Sequence, residues 1–202
     1  MKIKFLNKSF IILLLISVFT GCNLSNNDDE NPQPVDNYLV GFEKQKSFTS
    51  DIIKSLLQNF ISVYPEFQDI LDEVEHDVSV YKITYMTTFQ GEELIASGLV
   101  SLPTTQSVSF PILSFQNGTN TLHRDAPSVN SNSSLFLMLE FIASTGFVVS
   151  IPDYLGFGAS DNMFHPYLDK ESTVLTVTDM LRAVKELASE KHLNINLRLD
   201  SY

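Results

Sequence analysis

Three places in this chain combine residue types that could do chemistry. The first is Asn117-Gly118-Thr119, which follows the apolar run over residues 110–115. Backbone N–H groups at such a turn can hold a developing negative oxygen, and losing one such donor typically costs about 3 kcal/mol in acyl transfer. An ordinary Asn-Gly turn reads the same way. The second is the loop that carries Asp153, Ser160 and His165, the residue types of an orienting acid, a nucleophile and a base. All three lie in one loop, without separate strands to hold them rigidly. Gly158-Ala159-Ser160-Asp161-Asn162 also has Asn162 where a nucleophile elbow needs its second glycine. The third is Cys22, the only cysteine, which excludes an intramolecular disulfide and leaves a single role for its thiol. No Gly-x-Ser-x-Gly pentapeptide occurs, and His76, His123 and His192 have no partner pattern.

Strands and helices must position these groups. Phe147, Val148, Val149 and Ile151, interrupted only by Ser150, make the nearly continuous apolar run of a parallel strand covered on both faces. Pro152 ends its ladder, and Gly156 and Gly158 permit sharp turns. Loops at the carboxyl ends of parallel strands are where α/β proteins place ligands, so residues 152–160 mark the functional edge. Upstream, Thr49 is the predicted N-cap of a helix through Ile52, Ile53, Leu56, Leu57, Phe60 and Ile61, ended by Pro65. A short second helix is predicted around Phe67, Ile70, Leu71 and Val74. From Val78 the period changes to two, and the turn Gln90-Gly91-Glu92 joins two strands into an antiparallel hairpin stopped by Pro103. Residues 110–115 form a further strand. Residues 119–134 are a long polar loop, functional or mobile. Residues 135–145 are helical in spacing, with Gly146 as the stop. Ser172 or Thr173 is the predicted cap of a last helix, with a buried stripe of Val177, Met180, Leu181, Val184, Leu187 and Ala188. The alternation implies an α/β fold with right-handed crossovers.

Charge and the amino terminus bound the setting. The chain carries 13 basic and 24 acidic residues, a net of −11, so nucleic acid is excluded as a partner because its phosphates would be repelled. Lys2, Lys4 and Lys8 precede an apolar stretch over residues 10–19, too short to span a bilayer. Phe19-Thr20-Gly21-Cys22 resembles a bacterial lipobox, with Phe19 where leucine is usual. Residues 1–21 are therefore expected to be a lipoprotein signal peptide, and Cys22 a lipidated anchor to a membrane. The expected location is the bacterial cell envelope, lipid-anchored at the outer membrane or cell surface. From Cys22 onward the chain has 10 basic and 24 acidic residues, a net of −14. Residues 22–40, with Asp28-Asp29-Glu30, Pro32 and Pro34, read as a disordered tether ahead of a domain over 41–202. The acidic run also resembles the surface-export signals of lipoproteins from Bacteroidota-type bacteria; a solvated linker is the alternative.

Three stretches resemble the α/β-hydrolase superfamily, in particular its secretory lipase and esterase branch. Ala96-Ser97-Gly98-Leu99-Val100-Ser101-Leu102-Pro103 is similar to the second strand of the opening hairpin. Phe115-Gln116-Asn117-Gly118-Thr119 takes the place of the family's His-Gly oxyanion loop, with Asn117 where the family often has histidine. Residues 146–160, with His165-Pro166-Tyr167 and Glu171-Ser172-Thr173, are similar to the fourth strand and its loop. The resemblance covers roughly residues 78–197. It implies the amino-terminal half of an α/β-hydrolase fold: a β-hairpin, then βαβα, with helices on both faces of a mostly parallel, incomplete sheet. It implies a carboxylic ester hydrolase of the lipase or esterase type, working through a serine acyl-enzyme on an ester or lipid small molecule, with no cofactor and no metal. Gly118 and Thr119 become the oxyanion hole, with Thr119 N–H as donor. Asn117, Asp153, Tyr154, Gly156 and Gly158 support the active-site loop. Phe157, Phe164 and Tyr167 either line an acyl pocket or pack.

None of the family's triad is present, because the nucleophile elbow would begin near residue 193 and the chain stops there. This portion alone is therefore expected to be inactive and marginally stable, with residues 110–115 a bare apolar edge. A serine peptidase of the same fold, or a non-catalytic lipoprotein binding through residues 119–134, are the alternatives.

Overall fold

The computed structural model describes residues 37–197. The predicted signal peptide, Cys22 and most of the tether lie outside the described residues. Six strands form one sheet in the order β1-β2-β3-β5-β4-β6. They are β1 (Leu39–Phe48), β2 (Val78–Phe89), β3 (Glu92–Pro103), β4 (Ser109–Ser114), β5 (Val148–Pro152) and β6 (Asn194–Asn196). The helices are α1 (Ser50–Ile61), α2 (Gln68–Asp72), α3 (Ser134–Ile142) and α4 (Lys170–Glu190). The sheet is mixed. β1, β2, β3 and β5 pair antiparallel in turn, and β5, β4 and β6 pair parallel.

The hairpin follows from its turn. Phe89 pairs with Glu92, and the two residues between them, Gln90 (φ 53°) and Gly91 (φ 84°), are both left-handed. A two-residue turn of that kind matches the twist of its flanking strands. Along β2 the odd positions Tyr81, Ile83 and Tyr85 join one apolar layer, and the even positions Val78 and Val80 join the other. Met180, Ala183, Val184 and Leu187 of α4 close the first layer. Ile53 and Leu57 of α1, with Phe136, Leu139 and Phe141 of α3, close the second. Helices thus cover both faces, and every residue of β5 is buried.

Thr49 caps α1 as predicted, its hydroxyl accepting from Ile52 N at 3.3 Å. Gly146 ends the turn after α3 with φ 100°. The cap of α4 is Asp169, not Ser172 or Thr173, because the Asp169 carboxylate accepts from Ser172 N at 3.0 Å and starts the helix earlier. Of the predicted stripe, Met180, Val184, Leu187 and Ala188 are buried, joined by Thr176, Asp179 and Ala183, while Val177 and Leu181 are only half-buried.

β1 was not expected. It begins inside the stretch read as tether, and Tyr38 N and Leu39 N both donate to the Glu186 carboxylate of α4, at 3.0 and 2.7 Å. Arg182 lies over the Tyr38 ring at 5.0 Å and donates to its hydroxyl. β4 is also not the bare edge expected. Ser109, Phe110 and Pro111 pair with β6, while beyond Pro111 the outer side of β4 has no strand partner among the described residues.

Candidate functional site

β4 and β5 run parallel, with Ser114 level with Ser150, and Phe115 N donates to Ser150 O at 2.9 Å. Asn117 and Asp153 each follow three residues after that matched pair. The two candidate loops therefore leave the same carboxyl edge side by side.

Asp153 is the centre of the site. It is fully buried, and its carboxylate accepts from Ser128 N at 2.8 Å, and from the hydroxyls of Ser128 and Ser97 at 2.5 Å each. Ser97 Oγ in turn accepts from Ala159 N at 2.7 Å. Burial pushes the Asp153 carboxyl above its ordinary range, and the bonds from Ser128 and Ser97 and the charge of Lys82 draw it partly back. The network ties three segments together: β3 through Ser97, the long loop through Ser128, and the turn after β5 through Ala159. Gly158 (φ 58°) lies against it so closely that a Cβ there would collide with Asp153 Oδ2 and Ser97 Oγ. At Gly156 (φ 84°) a Cβ would meet His165 N at 2.5 Å. Tyr154 itself is held at φ 65°, an uncommon conformation for a residue with a side chain. Asp153, Tyr154, Gly156 and Gly158 thus form a tight turn folded around a buried carboxylate.

The imagined local triad does not form. Ser160 is buried; its hydroxyl donates to Phe157 O and accepts from Gly156 N, both at 3.0 Å. His165 Nδ1–H donates to Leu155 O at 2.7 Å. The Asp153 carboxylate is occupied by the two serines. Ser160 and His165 are committed to backbone and Asp153 to Ser97 and Ser128, none of them to another member of the trio.

Asn117 is buried, but among the described residues its only side-chain hydrogen bond runs from Nδ2 to its neighbour Gly118 O at 3.3 Å, and Oδ1 has no partner. Thr119 is exposed at the edge, and its N–H has no acceptor among the described residues. The space around Gly118 is open; a Cβ there meets nothing within 4 Å. The loop over residues 119–134 is not shapeless: it contains the short 3-10 turn His123–Asp125, and Val129 N and Asn130 N both donate to Ala126 O.

Of the three aromatic candidates, Phe157 is buried and packs between His123 and His165, with ring centroids 5.5 and 5.0 Å away. Phe164 is 97% exposed. Tyr167 borders a cavity of about 540 Å³ at the hairpin tip, with Phe89, Asp169 and Glu171. That cavity does not reach Asn117 or Asp153. Sequence reasoning missed the roles of Ser97 and Ser128, which lie 56 and 25 residues from Asp153. No local pattern marks them; a buried carboxylate calls for donors without naming them. Among the described residues no group of His, Cys, Asp and Glu side chains is placed to hold a metal ion.

Solved structures match this fold. A presumed hydrolase of Legionella pneumophila is 31% identical, with a TM-score of 0.63 over 79% of this chain and 42% of its own. The rice cell wall degrading esterase LipA of Xanthomonas oryzae is 25% identical, with a TM-score of 0.64 over 81% of this chain and 40% of its own. The fold is an incomplete α/β-hydrolase fold. The chain spans about two fifths of the length of these solved proteins. No family model and no curated protein matches it. Within this α/β-hydrolase fold the hairpin is β2–β3, the strand before the oxyanion candidate is β4, and β5 carries the Asp153 turn, as the resemblance implied.

Proposed function

We propose that this chain is the oxyanion-bearing portion of a carboxylic ester hydrolase that works through a serine acyl-enzyme. One observation carries the reading. The Asp153 network fixes Ser128 of the long loop and the turn after β5 at the edge where Asn117-Gly118-Thr119 leaves the neighbouring parallel strand. In this reading the ester carbonyl lies over that edge. As a nucleophile attacks, the carbonyl oxygen gains charge, and Thr119 N–H donates to it. The fixed donor stabilises the tetrahedral state because it needs no reorganisation when the charge appears. The residue after the serine supplies the second donor in such folds. No triad forms among the described residues, so the serine, acid and histidine come from outside them.

The genomic DNA past codon 202, read in all three frames, tests this. A Gly-x-Ser-x-Gly codon set shortly downstream supports the reading; a clean stop followed by unrelated sequence overturns it and favours a binding role. In the protein read through such a set, Thr119→Pro removes the donor and should lower kcat by about 10²–10³-fold. Faster hydrolysis of a peptide than of p-nitrophenyl butyrate would redirect the proposal to a peptidase. We also propose that Cys22 is lipidated and holds the protein at the cell envelope. Cells fed a labelled fatty acid should label the protein, and Cys22→Ala should abolish the label.

A further inference from the structure

β1 does more than widen the sheet. From it, Lys46 Nζ donates to Ser131 O at 2.7 Å and to Asn132 Oδ1 at 3.4 Å, and lies 2.9 Å from Glu140 Oε2. Glu140 is on α3 among Phe136, Leu139 and Phe141, and none of it is exposed. Neither of its carboxylate oxygens has a well-aligned hydrogen bond among the described residues, so the Lys46 contact is an ion pair. A carboxylate in such a layer is costly, and an apolar side chain of similar size would hold the layer together as well or better. Stability therefore does not explain the pair. Its geometry does offer another use. Residues 131 and 132 end the same long loop that begins at the oxyanion candidate, and Ser128 of that loop is already tied to Asp153. The loop is fastened at two points, one inside the site and one to a strand outside it.

We propose that Lys46 and Glu140 are positioning residues for the candidate oxyanion loop: Glu140 holds the Lys46 ammonium in place, and the ammonium seats the end of residues 119–134. Its catalytic meaning rests on the oxyanion reading above; its structural meaning does not. Lys46 is the charged group facing Glu140 among the described residues. Protonation of Glu140 removes the charge that holds the ammonium, so the seat loosens as pH falls.

Amide hydrogen exchange on the purified chain tests this without substrate. Lys46→Met should speed exchange in peptides from residues 119–134 by about tenfold, while peptides from the β2–β3 hairpin change little. Lys46→Arg, which keeps the charge, should restore most of the protection. In the unmodified chain, exchange of the loop corrected for its intrinsic pH dependence should be faster at pH 5 than at pH 8, and Glu140→Gln should remove that difference. Should Lys46→Met not fold, the pH series and Glu140→Gln decide alone. Loop exchange that ignores pH, or that rises equally in the hairpin, overturns the proposal. A clamp that behaves as expected in a read-through protein that hydrolyses no ester would overturn the oxyanion reading and leave the clamp standing.

Discussion

Replacing Asp153 by alanine leaves three donors without their acceptor: Ser128 N–H and the hydroxyls of Ser128 and Ser97. The two hydroxyl oxygens are 3.4 Å apart, so one can turn to donate to the other. Two donors then stay buried and unpaired. Each costs about 1–3 kcal/mol, so Asp153→Ala should destabilise the fold by about 4 kcal/mol. Asp153→Asn has the same shape. Its amide oxygen still accepts from Ser128 N, and its amide nitrogen can donate to one hydroxyl oxygen. Neutralising the group also removes the burial cost that raises the Asp153 carboxyl. The Asn variant should therefore lose only about 1–2 kcal/mol. Urea unfolding followed by circular dichroism reads both values. With a slope of about 2 kcal/mol per molar, the midpoint should fall by about 2 M for alanine and by less than about 1 M for asparagine. An alanine variant within about 1 kcal/mol of the unmodified chain would refute the reasoning. So would an asparagine variant as unstable as the alanine one, since the loss would then come from charge and not from orphaned donors.

Burial, opposed by Lys46, pushes the Glu140 carboxyl up from 4.5 to about 7. The folded state then holds more protons than the unfolded one between those values, so stability should fall by about 3 kcal/mol as pH rises from about 4.5 to about 7, and level off above. Asp153 and Asp179 add slope of the same sign, so the measurement is the difference from Glu140→Gln; identical pH profiles would count against the assignment. Gly158→Ala combines a left-handed φ with a collision at Asp153 and should cost at least about 2 kcal/mol of thermal stability, whereas Gly118→Ala, in open space, should stay within about 1 kcal/mol. Equal losses would show that the Gly158 contact is not what shapes the turn. The 202-residue chain should hydrolyse p-nitrophenyl butyrate no faster than buffer. Activity lost on Ser160→Ala would mean that the local triad assembles after all.

What could be read from sequence was what is written locally. The hairpin has a period of two and a turn whose left-handed residues are glutamine and glycine. β5 has an apolar run broken only by Ser150. β1 has neither: its ten residues include Glu43, Lys44 and Lys46, and the pairing with β2 slips twice, between Leu39 and Gly41 and between Lys44 and Lys46. Each slip breaks the alternation that marks a strand, and an edge strand needs only one apolar face. β6 is three residues long and carries no period. The start of α4 was misplaced because Asp169, Ser172 and Thr173 are all good caps, and the choice depends on which carboxylate reaches which N–H.

The same division explains the site. Asp153, Ser160 and His165 are near enough in sequence to suggest a triad, yet such closeness works against one. Residues within a single tight loop find backbone partners first: Ser160 bonds to Phe157 O and His165 to Leu155 O, three and ten residues away. The partners of Asp153 come instead from β3 and from the long loop, whose positions depend on the whole sheet. A buried carboxylate held by distant serines holds two loops in one arrangement. The turn after β5 is thus a fastening for the edge at which Asn117-Gly118-Thr119 emerges.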